Sequence, residues 1–283
     1  MGEAGTADSA GASQPSRAGR NLPAAIGVGV ALGAVVLLSL FFVKWLFVVV
    51  VVVTMLVAVN EVVEAFAGRD IRVARTPVYL ATLVVPPVAY VWGTTALLAA
   101  TGTALLAAMI WRIRRGYDGY VRDVTASMFT IAYLPFMAGF LMLTLSAGNG
   151  VQRVIVFILL TISNDIGGYA SGVLFGKHPI APQISPKKSW EGFAGSIVLQ
   201  SVVGAVTFAL LLDAPWWQGV VTGILMTVTA TAGDFAESAI KRDLGVKDMG
   251  TFLPGHGGMM DRFDSLVPNA FTSWALFTLF LGS

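Results

Sequence analysis

Between residues 234 and 264 the chain spaces acids, cations and glycines in a way that suits phosphate and a divalent metal. Asp234, Glu237, Ser238 and Lys241 follow i, i+3, i+4, i+7, so on a helix they share one face, carboxylate at one end and ammonium at the other. Asp261 and Asp264 are again i and i+3. Carboxylate oxygens of this kind suit Mg²⁺, which takes one or two of them and completes its shell with water and phosphate. For Asp264 the plainer alternative is a helix cap; for Glu237 it is an ion pair with a neighbouring cation. Gly255-His256-Gly257-Gly258 lies between the two sets, flanked by Lys241, Arg242, Lys247 and Arg262. Glycine backbone of this type approaches an anion closely, and successive N–H groups form anion nests. His256 is read as one more hydrogen bond to phosphate.

A second polar group precedes it. Asp165, beside Asn164, sits well inside an apolar segment with no basic residue within a turn or two. An ionisable group at such a place costs about 2.5–3.5 kcal/mol on insertion scales and marks a functional position by default. Ser185-Pro186-Lys187-Lys188-Ser189 stands just before a helix start at Trp190-Glu191. It sets cations and a capping hydroxyl at the positive end of a helix dipole, where phosphate binds; otherwise it is a basic loop that only fixes topology. Gly168, Gly172 and Gly176 repeat every four residues and are expected to pack helices closely. Glu61 and Glu64 stand near Arg69 and Arg72 and are expected to pair with them.

The elements that position these residues are membrane spans. Of 283 residues, 56% are hydrophobic and 12% charged, with a mean hydropathy of +0.77. That charged share is about half of the usual 25% in soluble domains. Apolar runs at roughly 23–43, 45–66, 77–92, 94–111, 124–146, 151–175, 192–212, 216–240 and 266–282 predict an all-α polytopic membrane protein of about nine helices. The third and fourth runs should form a tight hairpin around Trp92-Gly93, and Pro86-Pro87 should kink the third. Residues 1–21 read as a disordered polar tail, and 22–283 as one membrane domain with its catalytic half from about 151. With the N-terminus inside, sixteen of the eighteen Lys and Arg fall on the cytoplasmic side, only Lys44 and Arg153 outside. This satisfies the positive-inside rule, giving N-in, C-out in the cell's inner membrane with both unusual loops facing the cytoplasm. The arginines at 69–75 and 112–122 are read as topology signals and anionic-lipid contacts. There is no cysteine, hence no disulfide or thiolate metal site.

The run from Ser238 to Asp264 resembles the signature of phosphatidate cytidylyltransferases (CDP-diacylglycerol synthases), S-x-aliphatic-K-R, K-D, Pro and H-G-G-x-x-D-R-x-D. Asn164-Asp165 to Gly176-Lys177 and Ser185 to Gly192 resemble further blocks of the family, and the similarity extends over roughly 25–283. The resemblance implies CTP and phosphatidate as substrates, CDP-diacylglycerol and pyrophosphate as products, and Mg²⁺ dependence with a potassium-like second cation. It implies metal-binding roles for Asp234, Asp261 and Asp264, and substrate-phosphate roles for Ser238 and Lys241. Beside these, Asp165 is expected to line the headgroup cavity. Arg242, Lys247, His256, Gly257, Gly258, Arg262, Lys187, Lys188 and Ser189 are expected to bind substrate. No nucleic acid is expected, and the packing glycines are compatible with a homodimer.

Two rival readings exist. A CDP-alcohol phosphatidyltransferase would show Asp-Gly-x-x-Ala-Arg, which Asp118-Gly119-Tyr120-Val121-Arg122-Asp123 does not fit. A cation-coupled secondary transporter would also carry buried acids, but inverted repeats are not evident.

Overall fold

The computed structural model describes residues 33–250 and 257–282. Helices dominate: α1 (Gly33–Phe42, its described part), α2 (Lys44–Ala67), α3 (Arg75–Ile113), α4 (Tyr120–Tyr133), α5 (Pro135–Ser146) and α6 (Gly150–Phe175). A hairpin of β1 (Pro179–Ala181) and β2 (Ser185–Ser189) follows, then α7 (Trp190–Leu211), α8 (Trp216–Leu244), the short α9 (Met260–Phe263) and α10 (Leu266–Leu281). The polar tail assigned to 1–21 lies outside the described residues.

Six stretches among the described residues are long and apolar enough to cross a membrane, rather than nine separate ones. The difference arises in three places. The runs 77–92 and 94–111 are the two limbs of α3, which counts once among the six, and they meet at Gly93 (φ 76°, ψ −161°), a conformation that only glycine adopts without strain. Pro86 and Pro87 keep helical dihedrals, and the expected turn at Trp92-Gly93 is at the glycine. α10 has 16 residues, short of the usual span length, and α1 is described only from Gly33.

The break at Gly93 reverses the chain. Asp123 Oδ1 accepts the Arg72 N–H at 2.9 Å just before α3, and Asp123 Oδ2 accepts Arg112 Nε at 2.8 Å in its last turn. A straight helix of 39 residues would hold its ends about 58 Å apart at 1.5 Å per residue. The two limbs of α3 therefore run side by side. Arg112 and Asp123 are both almost fully buried, and Ser127 adds a hydrogen bond to the Ala74 N–H. Arg69 Nε bonds the Leu244 carbonyl, and Arg122 reaches the Asp70 carbonyl. These arginines, expected to be topology signals and anionic-lipid contacts, tie helix ends to one another at a single end of the bundle. The Arg112–Asp123 pair is buried where little water reaches to satisfy a guanidinium or carboxylate, while Arg69 and Arg122 make their bonds from exposed positions. At the other end Arg153 holds the Gly282 carbonyl at 2.8 Å.

Small residues seat α7 between α6 and α8. A Cβ on Gly167 would lie 2.7 Å from the Gly195 carbonyl oxygen and 3.0 Å from Ser196 Cα, and Gly204 and Gly219 exclude each other's side chain in the same way. Close backbone approach of this kind is the expected use of a small-xxx-small pattern. Ser196 Oγ donates to the Asn164 carbonyl at 2.7 Å, fixing α7 against the polar step in α6. Gly167→Ala is expected to destabilise the protein by about 1–3 kcal/mol, because both obstacles are backbone and cannot rotate away. Thermal unfolding in detergent checks this; an unchanged midpoint would mean the helices can slide apart at no cost.

Candidate active site

The polar residues singled out in the sequence meet where α6, α7, α8 and the β-hairpin adjoin α9. A cavity of about 260 Å³ opens there, lined by Asn164, Asp165, Lys187, Lys188, Ser189, Thr231 and Asp234 among others. The hairpin delivers the lysines. Glu191, in the first turn of α7, accepts the Lys177 and His178 N–H groups at 3.1 and 3.2 Å, pinning β1 back onto the helix. Ser189 caps α7, its Oγ accepting the Gly192 N–H at 3.1 Å, as the sequence led us to expect. The strand pairing itself was not foreseen; a loop was expected where the chain forms a two-stranded turn.

Lys188 Nζ pairs directly with Asp234 on α8. Burial pushes the Lys188 ammonium below its ordinary pKa, opposed by the charges of Asp264, Asp165 and Glu237. Asp264 follows α9 and comes close because Gly233 leaves no gap: a Cβ there would sit 2.3 Å from the Asp264 carbonyl oxygen and 2.5 Å from Pro268 Cγ. Burial raises the Asp264 carboxyl above the usual range, against the Ser265 N–H and the charges of Lys188, Lys241 and Arg262. The helix-cap alternative for Asp264 is met only in its bond to the adjacent Ser265 N–H.

Two turns along α8, Lys241 Nζ bridges Glu237 at 3.1 Å and Asp261 at 2.8 Å. The i, i+3, i+7 face is thus real, with half-buried Ser238 on it. α8 then stops at Gly245 (φ 70°), where the N–H of Gly245 bonds the Arg242 carbonyl and that of Val246 the Lys241 carbonyl. This left-handed glycine close turns the chain back toward α9. Arg242 and Lys247 are exposed near this turn and form no hydrogen bond or ion pair with the acidic cluster. Arg262 is also exposed, close enough to Asp264 and Asp165 for its charge to act on both.

The glycine turn differs from expectation. His256 lies outside the described residues. Of the N–H groups thought to cradle phosphate, that of Gly258 donates to Asp261 Oδ2 at 2.8 Å, and just beyond the turn Met259 and Met260 donate to Glu61 at 3.0 and 2.8 Å. A carboxylate of the protein thus already takes the Gly258 N–H. Glu61 is likewise not paired with Arg69 or Arg72, and Glu64 pairs with Arg75 instead. Nothing in the local sequence marks Glu61 for this place, since its partners lie about two hundred residues away.

Mg²⁺, implied by the resemblance, can be tested against this donor set. Among the described residues no three Asp, Glu or His side chains converge as a ready cage. Asp234 and Asp261 each hold an ammonium group, and Asp264 lies within the field of both lysines. Hard oxygens whose charge is balanced by cations suit a site that takes one or two carboxylates and leaves the remaining positions to water and phosphate. The residues fit the ion.

The sequence pattern of the cytidylyltransferase family matches residues 23–280. The chain belongs to the cytidylyltransferase family. Over 281 residues it is 41% identical to a phosphatidate cytidylyltransferase of Mycobacterium tuberculosis H37Rv, spanning 95% of this chain and 86% of that one. The enzyme of the same name from Mycobacterium bovis is 41% identical over 281 residues, spanning 95% and 92% of the two chains. That of Mycobacterium leprae is 38% identical over 279 residues, spanning 93% and 89%. The match spans all three blocks of sequence on which the resemblance rested. It assigns nothing to the buried acids Glu61, read from sequence as a partner of Arg69 or Arg72, and Asp123.

Proposed function

We propose that this protein is a phosphatidate cytidylyltransferase, converting CTP and phosphatidate to CDP-diacylglycerol and pyrophosphate at the inner face of the cell membrane. The observation that carries the reading is the meeting of Lys188 and Lys241 with Asp165, Asp234, Asp261 and Asp264 at one end of an apolar bundle. In the reaction a phosphatidate phosphate oxygen bonds to the α-phosphorus of CTP, and the bond from that phosphorus to the bridging oxygen breaks to release pyrophosphate. The nucleophile is already ionised near neutral pH, so no general base is required. Two anions must be brought into line, and positioning with charge neutralisation is the main task.

The chain's own groups divide that work. Lys187 and Lys188, presented by β2, hold phosphate oxygens at the mouth of the cavity, beside the N-terminus of α7. Lys241, with Arg242, Arg262 and Ser238 near it, neutralises charge from the α8 side. Lys247, His256, Gly257 and Gly258 are assigned to further contacts with substrate phosphate. Asp165 lines the headgroup side of the cavity. Asp234, Asp261 and Asp264 would hold Mg²⁺, with a potassium-like second cation implied for the same centre. When bound, the ion supplies charge stabilisation for the triphosphate and its leaving group.

The lipid side of the reading rests on a second cavity, about 490 Å³ and almost wholly apolar, lined by Val50, Thr54, Leu141, Phe157, Phe263 and Leu266 among others. Phe263 and Leu266 flank Asp264, so α9 and the start of α10 separate this space from the acids. We assign it to a phosphatidate acyl chain. Val50→Trp, which fills it, is expected to raise KM for long-chain phosphatidate about tenfold and leave KM for CTP unchanged. An unchanged KM for long and short chains alike would put the lipid elsewhere.

Orientation follows the positive-inside argument, strengthened by the bonds that gather Arg69, Arg72, Arg112 and Arg122 at the end that carries the cluster. The packing glycines leave a homodimer compatible with the fold. The deciding experiment uses purified protein in detergent with Mg²⁺, phosphatidate and CTP labelled in the cytidine ring. Label that becomes chloroform-soluble only when all three are present supports the transferase. No lipid product, with cation flux in proteoliposomes, favours the transporter.

A further inference from the structure

The carboxylate of Glu61 is 7% exposed, yet it lies on α2, in the half of the chain without the family's motif residues. It accepts the N–H groups of Met259 (Oε1, 3.0 Å) and Met260 (Oε2, 2.8 Å), the two residues immediately before Asp261. Asp261 in turn accepts the N–H groups of Met249 at 3.0 Å and Gly258 at 2.8 Å. Two carboxylates therefore take four backbone donors, and the start of α9 is stitched to α2 through Glu61. Charge-assisted bonds of this kind are about twice as strong as neutral ones and fix direction as well as distance.

The surroundings are shaped for this carboxylate. A Cβ on Gly250 would lie 2.4 Å from Glu61 Oε1, and one on Gly258 would lie 2.5 Å from Glu61 Oε2. Any side chain larger than hydrogen at either position displaces the acid. A merely convenient salt bridge would not need backbone on both sides cleared for it. Lys241 is held by Asp261 and not by Glu61, so the two acids have distinct duties: one faces the reacting cluster, the other faces away and grips its backbone.

We infer that Glu61 is the positioning residue for Asp261, setting the carboxylate at the height of Lys241 by clasping the two peptide N–H groups that precede it. The inference rests on the proposed reading of Asp261 as part of the transferase centre. Removing the clasp lets Asp261 wander without touching either substrate, so the chemical step suffers and substrate binding does not. Outer partners of this type typically change activity by about 10- to 100-fold when lost.

The test compares the full-length protein with Glu61→Gln, which keeps the shape but turns a donor toward one of the two N–H groups. The expected result is kcat lower by about 10- to 100-fold, with KM for CTP and for phosphatidate within about twofold. Amide hydrogen exchange should speed up at Met259 and Met260 and stay unchanged in α6 and α7. Glu64→Gln, which touches only the exposed pair with Arg75, should alter neither readout. If Glu61→Gln does not fold, Gly250→Ala carries the kinetic test, since it displaces the same carboxylate without removing its charge. A wild-type kcat in a folded variant overturns the inference, as does rapid exchange of both amides in the wild-type protein. Should the wild-type protein lack cytidylyl transfer altogether, the proposed function fails, while the exchange result still decides whether Glu61 holds the segment.

Discussion

Asp261→Asn is expected to lower cytidylyl transfer by about a thousandfold or more while the protein still inserts and folds. The reason lies in how completely the carboxylate is used. Oδ2 accepts the Met249 and Gly258 N–H groups, and Oδ1 accepts Lys241 Nζ at 2.8 Å. An asparagine side chain has one oxygen, so its amide must point either at two N–H donors or at the ammonium. Both orientations set donor against donor, and the negative charge that balances Lys241 is lost. The proposed metal ligand disappears with it. Labelled lipid product per milligram of folded membrane protein checks this at saturating Mg²⁺ and CTP. Turnover within tenfold of wild type would remove Asp261 from the reacting cluster.

Lys241→Met is expected to damage stability and activity together. Glu237 is 1% exposed; Lys241 Nζ holds its Oε2, and its Oε1 has no hydrogen-bond partner among the described residues. Without the ammonium a buried carboxylate remains with nothing to balance it, at a cost of about 3–5 kcal/mol. Adding Glu237→Gln should restore much of the thermal midpoint by removing the stranded charge. It should not restore turnover, because Asp261 still lacks its cation and phosphate still lacks Lys241. Recovery of activity in the double variant would mean that Lys241 serves only to neutralise Glu237. A thermal midpoint unmoved by Lys241→Met would mean that water reaches the pair and screens it.

Local pattern made much of this molecule legible. The face shared by Asp234, Glu237, Ser238 and Lys241 follows from helical periodicity alone, and the structure keeps it on α8. The Ser189 cap and the start of α7 at Trp190 were readable for the same reason: capping is a contact between residues three apart. The reversal at Gly93 was visible as two short apolar runs with one glycine between them. At Pro86-Pro87 the dihedrals stay helical, and the non-helical residue of α3 is Gly93.

Distant pairing is where residue-level reading went astray. Glu61 and Glu64 look alike beside Arg69 and Arg72, yet Glu64 pairs with Arg75 at an exposed site and Glu61 turns inward to the backbone of α9. Arg112 looked like one more cytoplasmic charge, although it is 3% exposed and locked to Asp123. The glycine turn read as a nest for phosphate, yet its Gly258 N–H serves Asp261, and the next two residues give theirs to Glu61. In each case the deciding partner comes from another helix, which spacing along the chain cannot name.

By itself, then, the order of residues determined the membrane-spanning helical class, the family and the acids and lysines to be gathered, since hydropathy, motif and periodicity are all properties of neighbours in the chain. Only the tertiary structure decided which carboxylate faces the reacting cluster and which grips its scaffold. That choice depends on which backbone donors a buried acid meets after the helices have packed, where an unsatisfied N–H or charge has no water to fall back on.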